Sequence, residues 1–79
     1  MSDSLESISV PEIVMGRYRH YKGNEYEVIG VALHTENLEP MVIYKPLYDT
    51  AVKIWARPYS MFVESVMING KQIPRFTKI

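Results

Sequence analysis

Short runs rich in apolar and aromatic residues recur along this 79-residue chain, and Gly, Pro and Asn separate them. The runs at 17–22, 25–35, 41–45, 53–57 and 62–68 predict five strands, and a sixth follows residue 70. No stretch keeps a 3.6-residue apolar period for longer than one turn, so at most one or two short helical turns are expected, near 10–15 or 58–62.

Two dipeptides predict tight hairpins, Gly23-Asn24 and Asn69-Gly70. The second is typical of a two-residue type I′ turn, and this turn sets a register. That register brings an apolar pair and an opposite-charge pair together, which supports it. The predicted pairs are Ile68 with Lys71, Val66 with Ile73, Glu64 with Arg75, and Val63 with Phe76.

The run 25–35 is too long and too mixed for one regular strand. Glu25 and Glu27 share a face with Val31, and one face cannot be both solvated and buried along its length. We therefore predict a bulge or sharp bend within two residues of Gly30, which shifts the alternation. On the same argument, Gly30→Val should destabilise by more than the ~1 kcal/mol range of strand propensity.

The first strand must bury one of its two faces. Burying Arg17 and Arg19 without partners costs several kcal/mol each, whereas burying Tyr18 costs far less and His20 stays neutral with a hydrogen bond. We expect Tyr18 and His20 to face the interior or its rim, with Arg17, Arg19 and Tyr21 on the open face.

Length and composition indicate one small domain. We assign 1–15 as a mobile N-terminal tail with at most one helical turn, capped by Ser9, and 16–79 as a single all-β barrel or sandwich. Nine basic and nine acidic residues balance, so general attraction to nucleic acid or a membrane is not indicated. Without cysteine, neither a disulfide nor a thiolate metal site is available. No signal peptide or ~20-residue apolar span is evident, so a cytoplasmic location is expected.

Few residues suit catalysis. His20, His34 and Glu36, with Glu39, are the candidates for a metal or acid–base site, but their spacing matches no metal signature. A Gly-x-Ser-x-Gly elbow and a phosphate-binding glycine loop are both missing from the sequence. We therefore expect no enzymatic activity and no cofactor.

Aromatic and basic residues are better candidates for a binding surface, because Tyr, Trp and Arg commonly anchor interfaces. The residues proposed for it are Arg17, Arg19, Tyr21, Tyr44, Lys45, Tyr48 and Arg57. Alternatively, the basic residues pair with carboxylates across strands, with Arg19 opposite Glu27, and the aromatic residues form the core. We assign Tyr26 and Trp55 to the core.

The sequence resembles the bacterial family catalogued as domain of unknown function 1653. The residues that carry the resemblance are GRYRHYKG at 16–23, YEVIGVA at 26–32, LEP at 38–40, VIY at 42–44, WARP at 55–58, and NGK with IPRF at 69–76. The resemblance implies a small SH3-like β-barrel of five to six short antiparallel strands, and it implies no activity.

These observations together predict a non-enzymatic module that binds a protein segment through an aromatic and basic surface. One alternative is an oligonucleotide-binding barrel. Another is a small metal-dependent or ligand-processing enzyme that uses His20, His34 and Glu36.

Overall fold

The computed structural model describes residues 10–79. Residues 1–9, which hold most of the predicted tail and its helix cap at Ser9, lie outside the described residues. Residues 10–15 are irregular, and the short helix of the described chain lies at 59–62, the second of the two places where a helical turn was expected. Residues 10–15 do contact the domain, because Ile13 packs against the core and the carbonyl of Val14 accepts a hydrogen bond from the Tyr18 hydroxyl at 2.7 Å.

The described chain contains seven strands and one short helix, which confirms the all-β class. In chain order these are β1 (Gly16–His20), β2 (Glu25–Leu33), β3 (Pro40–Pro46), β4 (Trp55–Pro58), α1 (Tyr59–Phe62), β5 (Ser65–Ile68), β6 (Lys71–Pro74) and β7 (Phe76–Lys78). The strand count exceeds the predicted five to six because the last run is interrupted. Pro74 cannot donate to a ladder, and the chain bends at Arg75 before β7 joins another sheet.

Five strands form one antiparallel sheet in the order β4-β3-β2-β1-β7, and β5 and β6 form a separate hairpin. The described strands do not close into the predicted barrel. Within residues 10–79 the two edge strands, β4 and β7, share no ladder, so one end of the sheet's inner face stays accessible beside β4.

The bulge predicted near Gly30 is confirmed. The β2–β3 ladder pairs Val28 with Tyr44 but Gly30 with Ile43, so Ile29 is the extra residue. Side chains at even-numbered positions of β2 point inward before the bulge, and those at odd-numbered positions point inward after it. The structure gives no steric reason for the large loss expected of Gly30→Val, however, because Gly30 does not have a positive φ and an added Cβ would meet no atom within 4 Å.

The first hairpin has a different register from the predicted one. His20 and Asn24 close the turn through a 2.8 Å backbone hydrogen bond, and Gly23 adopts a φ of 111°. Arg19 therefore lies opposite Glu25 and not Glu27. The difference is two residues, an even number, so every side chain keeps its predicted face.

The second hairpin has the predicted register from Ile68 and Lys71 to Val66 and Ile73. Asn69 and Gly70 have φ values of 52° and 78°, as a type I′ turn requires.

The pairing expected beyond this ladder is only partly right. The amide of Arg75 donates to the Glu64 carbonyl at 3.0 Å, and their side chains form an ion pair at 3.7 Å. The predicted Val63–Phe76 pair is wrong, because Phe76 pairs with His20 of β1 and Val63 ends α1.

The core lies on the inner face of the five-stranded sheet, under α1. Its buried members are Tyr18, Val28, Val42, Tyr44, Phe62 and Phe76. Tyr18 faces inward as predicted, and His20 lies at the rim with its ring edge-on to Phe76 at 5.0 Å. Arg17 and Arg19 face outward and are exposed.

Candidate ligand-binding site

A shallow depression of about 160 Å³ lies where the inner face of the sheet meets its β4 edge. Tyr26 of β2 and Tyr44 of β3 are diagonal neighbours on this face, because the ladder pairs Val28 with Tyr44 two residues beyond Tyr26. Trp55 begins β4 directly opposite Tyr44. We call the depression the aromatic pocket. Its lining residues are Tyr26, Tyr44, Tyr48, Trp55 and Arg57.

The tyrosines of the aromatic pocket contact one another edge to face. The ring centre of Tyr26 lies 5.4 Å from that of Tyr44 and 5.6 Å from that of Tyr48. Tyr44 is only 4% exposed and belongs to the core, whereas Tyr48 and Trp55 are 41% and 44% exposed. The pocket thus has a fixed aromatic floor and two solvent-facing aromatic walls.

Tyrosine hydroxyl groups supply polar atoms to the aromatic pocket. The Tyr26 and Tyr48 hydroxyls share a 2.9 Å hydrogen bond. Burial, and then the Tyr48 hydroxyl, raise the pKa of Tyr26 to about 12, so this hydroxyl stays protonated at physiological pH. Because the shared bond uses only one of the two protons, the other is available to a bound group.

Arg57 supplies the positive charge of the aromatic pocket. Its Nε donates to the Tyr44 hydroxyl at 3.2 Å, and its guanidinium carbon lies 5.7 Å from the centre of the Phe76 ring. Both contacts hold the guanidinium plane against the core.

The positive character extends from Arg57 towards the rim. Burial lowers the pKa of His20, and the charges of Arg57, Arg75 and Lys22 lower it further. The three cations thus make this end of the inner face unfavourable for an additional positive charge.

The seven residues proposed from the sequence do not form one surface. Tyr44, Tyr48 and Arg57 line the aromatic pocket. Arg19 and Tyr21 border a second depression of about 240 Å³, beside Ile73 and Ile79.

The remaining basic candidates lie on the outer face of the sheet, where carboxylates accompany them. Arg17 and Arg19 pair with Glu25 at 3.6 and 3.1 Å, and Lys45 pairs with Glu27 at 3.6 Å. For these residues the alternative of cross-strand pairing is confirmed, with Glu25 in place of Glu27 as the partner of Arg19.

Sequence reasoning assigned two pocket residues to the core. The assignment of Trp55 is wrong, because β4 is an edge strand and almost half of the Trp55 side chain is exposed. Tyr26 is half-buried and does pack against the core. The signal for Trp55 is Pro58 at the end of the short WARP run, since proline is found in edge strands.

The structure does not bring the proposed metal ligands together. His20 precedes β2 and His34 follows it, so the two imidazoles lie at opposite ends of the strand. Each Nδ1 accepts a backbone N–H two residues later, from Lys22 and Glu36 respectively, at 3.1 Å. Within residues 10–79, no three His, Asp or Glu side chains cluster as a metal site would need.

The only helix in the described part of the chain has four residues, far too few to cross a bilayer.

The family model described as "Protein of unknown function (DUF1653)" matches residues 16–78. The chain belongs to this family. It is also similar to the crystal structure of a DUF1653 protein from Bordetella bronchiseptica, with a TM-score of 0.81 and 32% sequence identity. That match covers 90% of this chain and 92% of the Bordetella chain. No curated protein matches the sequence. The family membership inferred from the sequence motifs is thus confirmed.

Proposed function

We propose that this DUF1653 protein is a non-enzymatic binding module that holds a segment of a partner protein in the aromatic pocket. The observation that carries the proposal is the exposure of Tyr48 and Trp55, 41% and 44%, beside a buried aromatic floor. Aromatic side chains that present an apolar body and a polar tip to solvent are typical anchors of protein interfaces.

The size of the aromatic pocket supports a segment over a cofactor. Sites for small molecules and cofactors usually enclose about 300–1,000 Å³, whereas this pocket has about 160 Å³. That volume suits one or two side chains of a longer ligand whose remaining residues lie on the surface.

The chemistry of the lining supports binding over catalysis. General acid–base catalysis is most efficient with a group whose pKa lies near the working pH. The lining consists of four aromatic residues and one arginine, and the pKa of Tyr26 is about 12, so the Tyr26 hydroxyl is not suited to that role.

A cytoplasmic location of the protein and its partner belongs to the same proposal. Cell fractionation would test that location.

An oligonucleotide is the second candidate, because bases stack on exposed Tyr and Trp rings. Most basic side chains around the sheet are already paired with carboxylates, which favours the protein segment. Oligonucleotide binding should weaken steeply between about 50 and 200 mM salt, whereas peptide binding should weaken far less.

The test is selection of phage-displayed random dodecapeptides on the immobilised protein. We expect selected peptides to lose binding to Tyr48→Ala and Trp55→Ala while both variants keep their melting temperature. Met67→Ala is the matched control, because Met67 is an exposed apolar residue on the separate hairpin. Selected peptides that bind Tyr48→Ala and Trp55→Ala as tightly as the wild type would refute the pocket as their site.

A further inference from the structure

Arg57 differs from the other three arginines in its charge environment. Arg17 and Arg19 share Glu25, and Arg75 pairs with Glu64 at 3.7 Å. Within residues 10–79, no carboxylate lies within 4.0 Å of the Arg57 guanidinium. A half-buried guanidinium without an anion is an unusual arrangement, because burying a charge is costly unless it is paired.

The guanidinium is held in one orientation. Its Nε donates to the Tyr44 hydroxyl at 3.2 Å and the group lies near the Phe76 ring, while the two Nη groups make no other hydrogen bond to the described residues. A guanidinium fixed in this way presents two parallel donors, the geometry that a carboxylate matches.

The tyrosine hydroxyls of the aromatic pocket also offer hydrogen-bond donors. Tyr44 accepts from Arg57 and so keeps its own hydroxyl proton free, and one proton of the Tyr26–Tyr48 pair is free as well. The lining contains no carboxylate, and its side chains provide only hydroxyl oxygens as acceptors. A group with acceptors alone satisfies this set best, and an ionised carboxylate is such a group.

Resting on the proposed function, we infer that the aromatic pocket recognises a carboxylate of the bound protein segment, which pairs with Arg57. A neighbouring apolar residue of the segment packs between Tyr48 and Trp55. The carboxylate is that of an Asp or Glu side chain or of a chain terminus, since the chemistry at Arg57 is the same for both.

The charge distribution favours this carboxylate over a nucleic acid. Binding along a phosphate backbone requires several cations in a row, and the pocket lining offers one. Lys45 and Lys53 carry partners of their own, Glu27 at 3.6 Å and Asp49 at 3.7 Å.

The experiment compares two probes of equal size, 3-phenylpropionate and its neutral amide 3-phenylpropionamide, in amide-shift titrations of the labelled protein. We expect the carboxylate to bind roughly tenfold tighter or more, as hydrogen bonds to charged groups allow. The shifts should centre on Arg57, Tyr48 and Trp55. Arg57→Gln should remove the preference, and Arg57→Lys should keep part of it because the charge remains.

Arg19→Gln is the matched control, because it removes an arginine that already has a carboxylate partner. It should leave the probe preference unchanged. Dispersed amide spectra of Arg57→Gln and Arg57→Lys establish that both variants are folded. N-acetylphenylalanine, with a terminal carboxylate, and N-acetyl-aspartyl-phenylalaninamide, with a side-chain carboxylate, then distinguish the two sources.

Equal affinity for the acid and the amide, or pocket shifts from neither, would overturn the carboxylate inference. Much tighter binding of phenyl phosphate would overturn it in favour of a phosphate ligand. None of these results depends on the phage selection. In that selection, peptides that bind the Tyr48→Ala and Trp55→Ala variants as tightly as the wild type would refute the proposed function itself.

Discussion

Phe62 links α1 to the sheet, and its truncation gives the sharpest test of how the core is held. It is the only buried residue of α1, at 2% exposure. Its ring stacks on Phe76 with centres 4.1 Å apart and planes 6° apart, and it meets Tyr18 and Tyr44 edge-on, each at 5.5 Å. We expect Phe62→Ala to lose about 3–5 kcal/mol of unfolding free energy, through lost burial and an unfilled cavity.

That loss is large for a domain of this size. A chain of 79 residues is expected to have only about 4–12 kcal/mol of unfolding free energy. Phe62→Ala should therefore shift the urea midpoint strongly or leave the protein partly unfolded. Phe62→Leu keeps most of the apolar volume and loses the ring contacts, so it should cost about 1–2 kcal/mol.

The measurement is urea unfolding followed by far-ultraviolet circular dichroism. Val63→Ala is the control, because Val63 is the next residue and is 51% exposed, and it should change stability by about 0.5 kcal/mol or less. A loss below about 1.5 kcal/mol for Phe62→Ala would show that α1 is not fixed by this ring, contrary to the packing described here.

Three further predictions concern single positions. Gly30→Val should change stability by no more than ~1 kcal/mol in urea unfolding, because an added Cβ meets open space; a larger loss would mean that the bulge requires glycine. Arg19→Ala should shift the melting temperature little, since its pair with Glu25 is exposed. An unfolded Arg19→Ala variant would show instead that the fold requires this pair. Burial and neighbouring cations lower the pKa of His20 below 6.5, so the unfolded chain binds more protons. His20 therefore contributes stability above about pH 6.5 that is lost as the pH falls towards its folded pKa. His20→Gln should make the urea midpoint depend less on pH between about pH 7 and 5.5. The same pH dependence in the variant and the wild type would contradict this.

Local signals in the sequence predicted the features that depend on a few neighbouring residues. Asn69-Gly70 sets the register of the second hairpin because both residues can adopt a positive φ. The change of apolar parity around Gly30 located the bulge, which lies one residue away at Ile29. Each of these follows from backbone geometry within one turn or one strand.

Long-range pairing could not be read in the same way. The final run contributes Phe76 to β7, which pairs with β1 from the other end of the described sequence. No local pattern indicates that partner. The exposure of Trp55 has the same origin, because strand order, and not the hydrophobicity of the residue, places β4 at the edge of the sheet.

Within residues 10–79, the absence of a carboxylate beside Arg57 also follows from strand register. Arg19 faces Glu25, two residues from the predicted Glu27, so Glu25 serves both Arg17 and Arg19. Glu27 then lies opposite Lys45 and pairs with it. The carboxylates of β2 are thus satisfied on the outer face, and they cannot reach Arg57 because its side chain lies on the inner face with Tyr44. Composition shows only that nine positive and nine negative residues balance, whereas the register determines which of them pair along β1, β2 and β3.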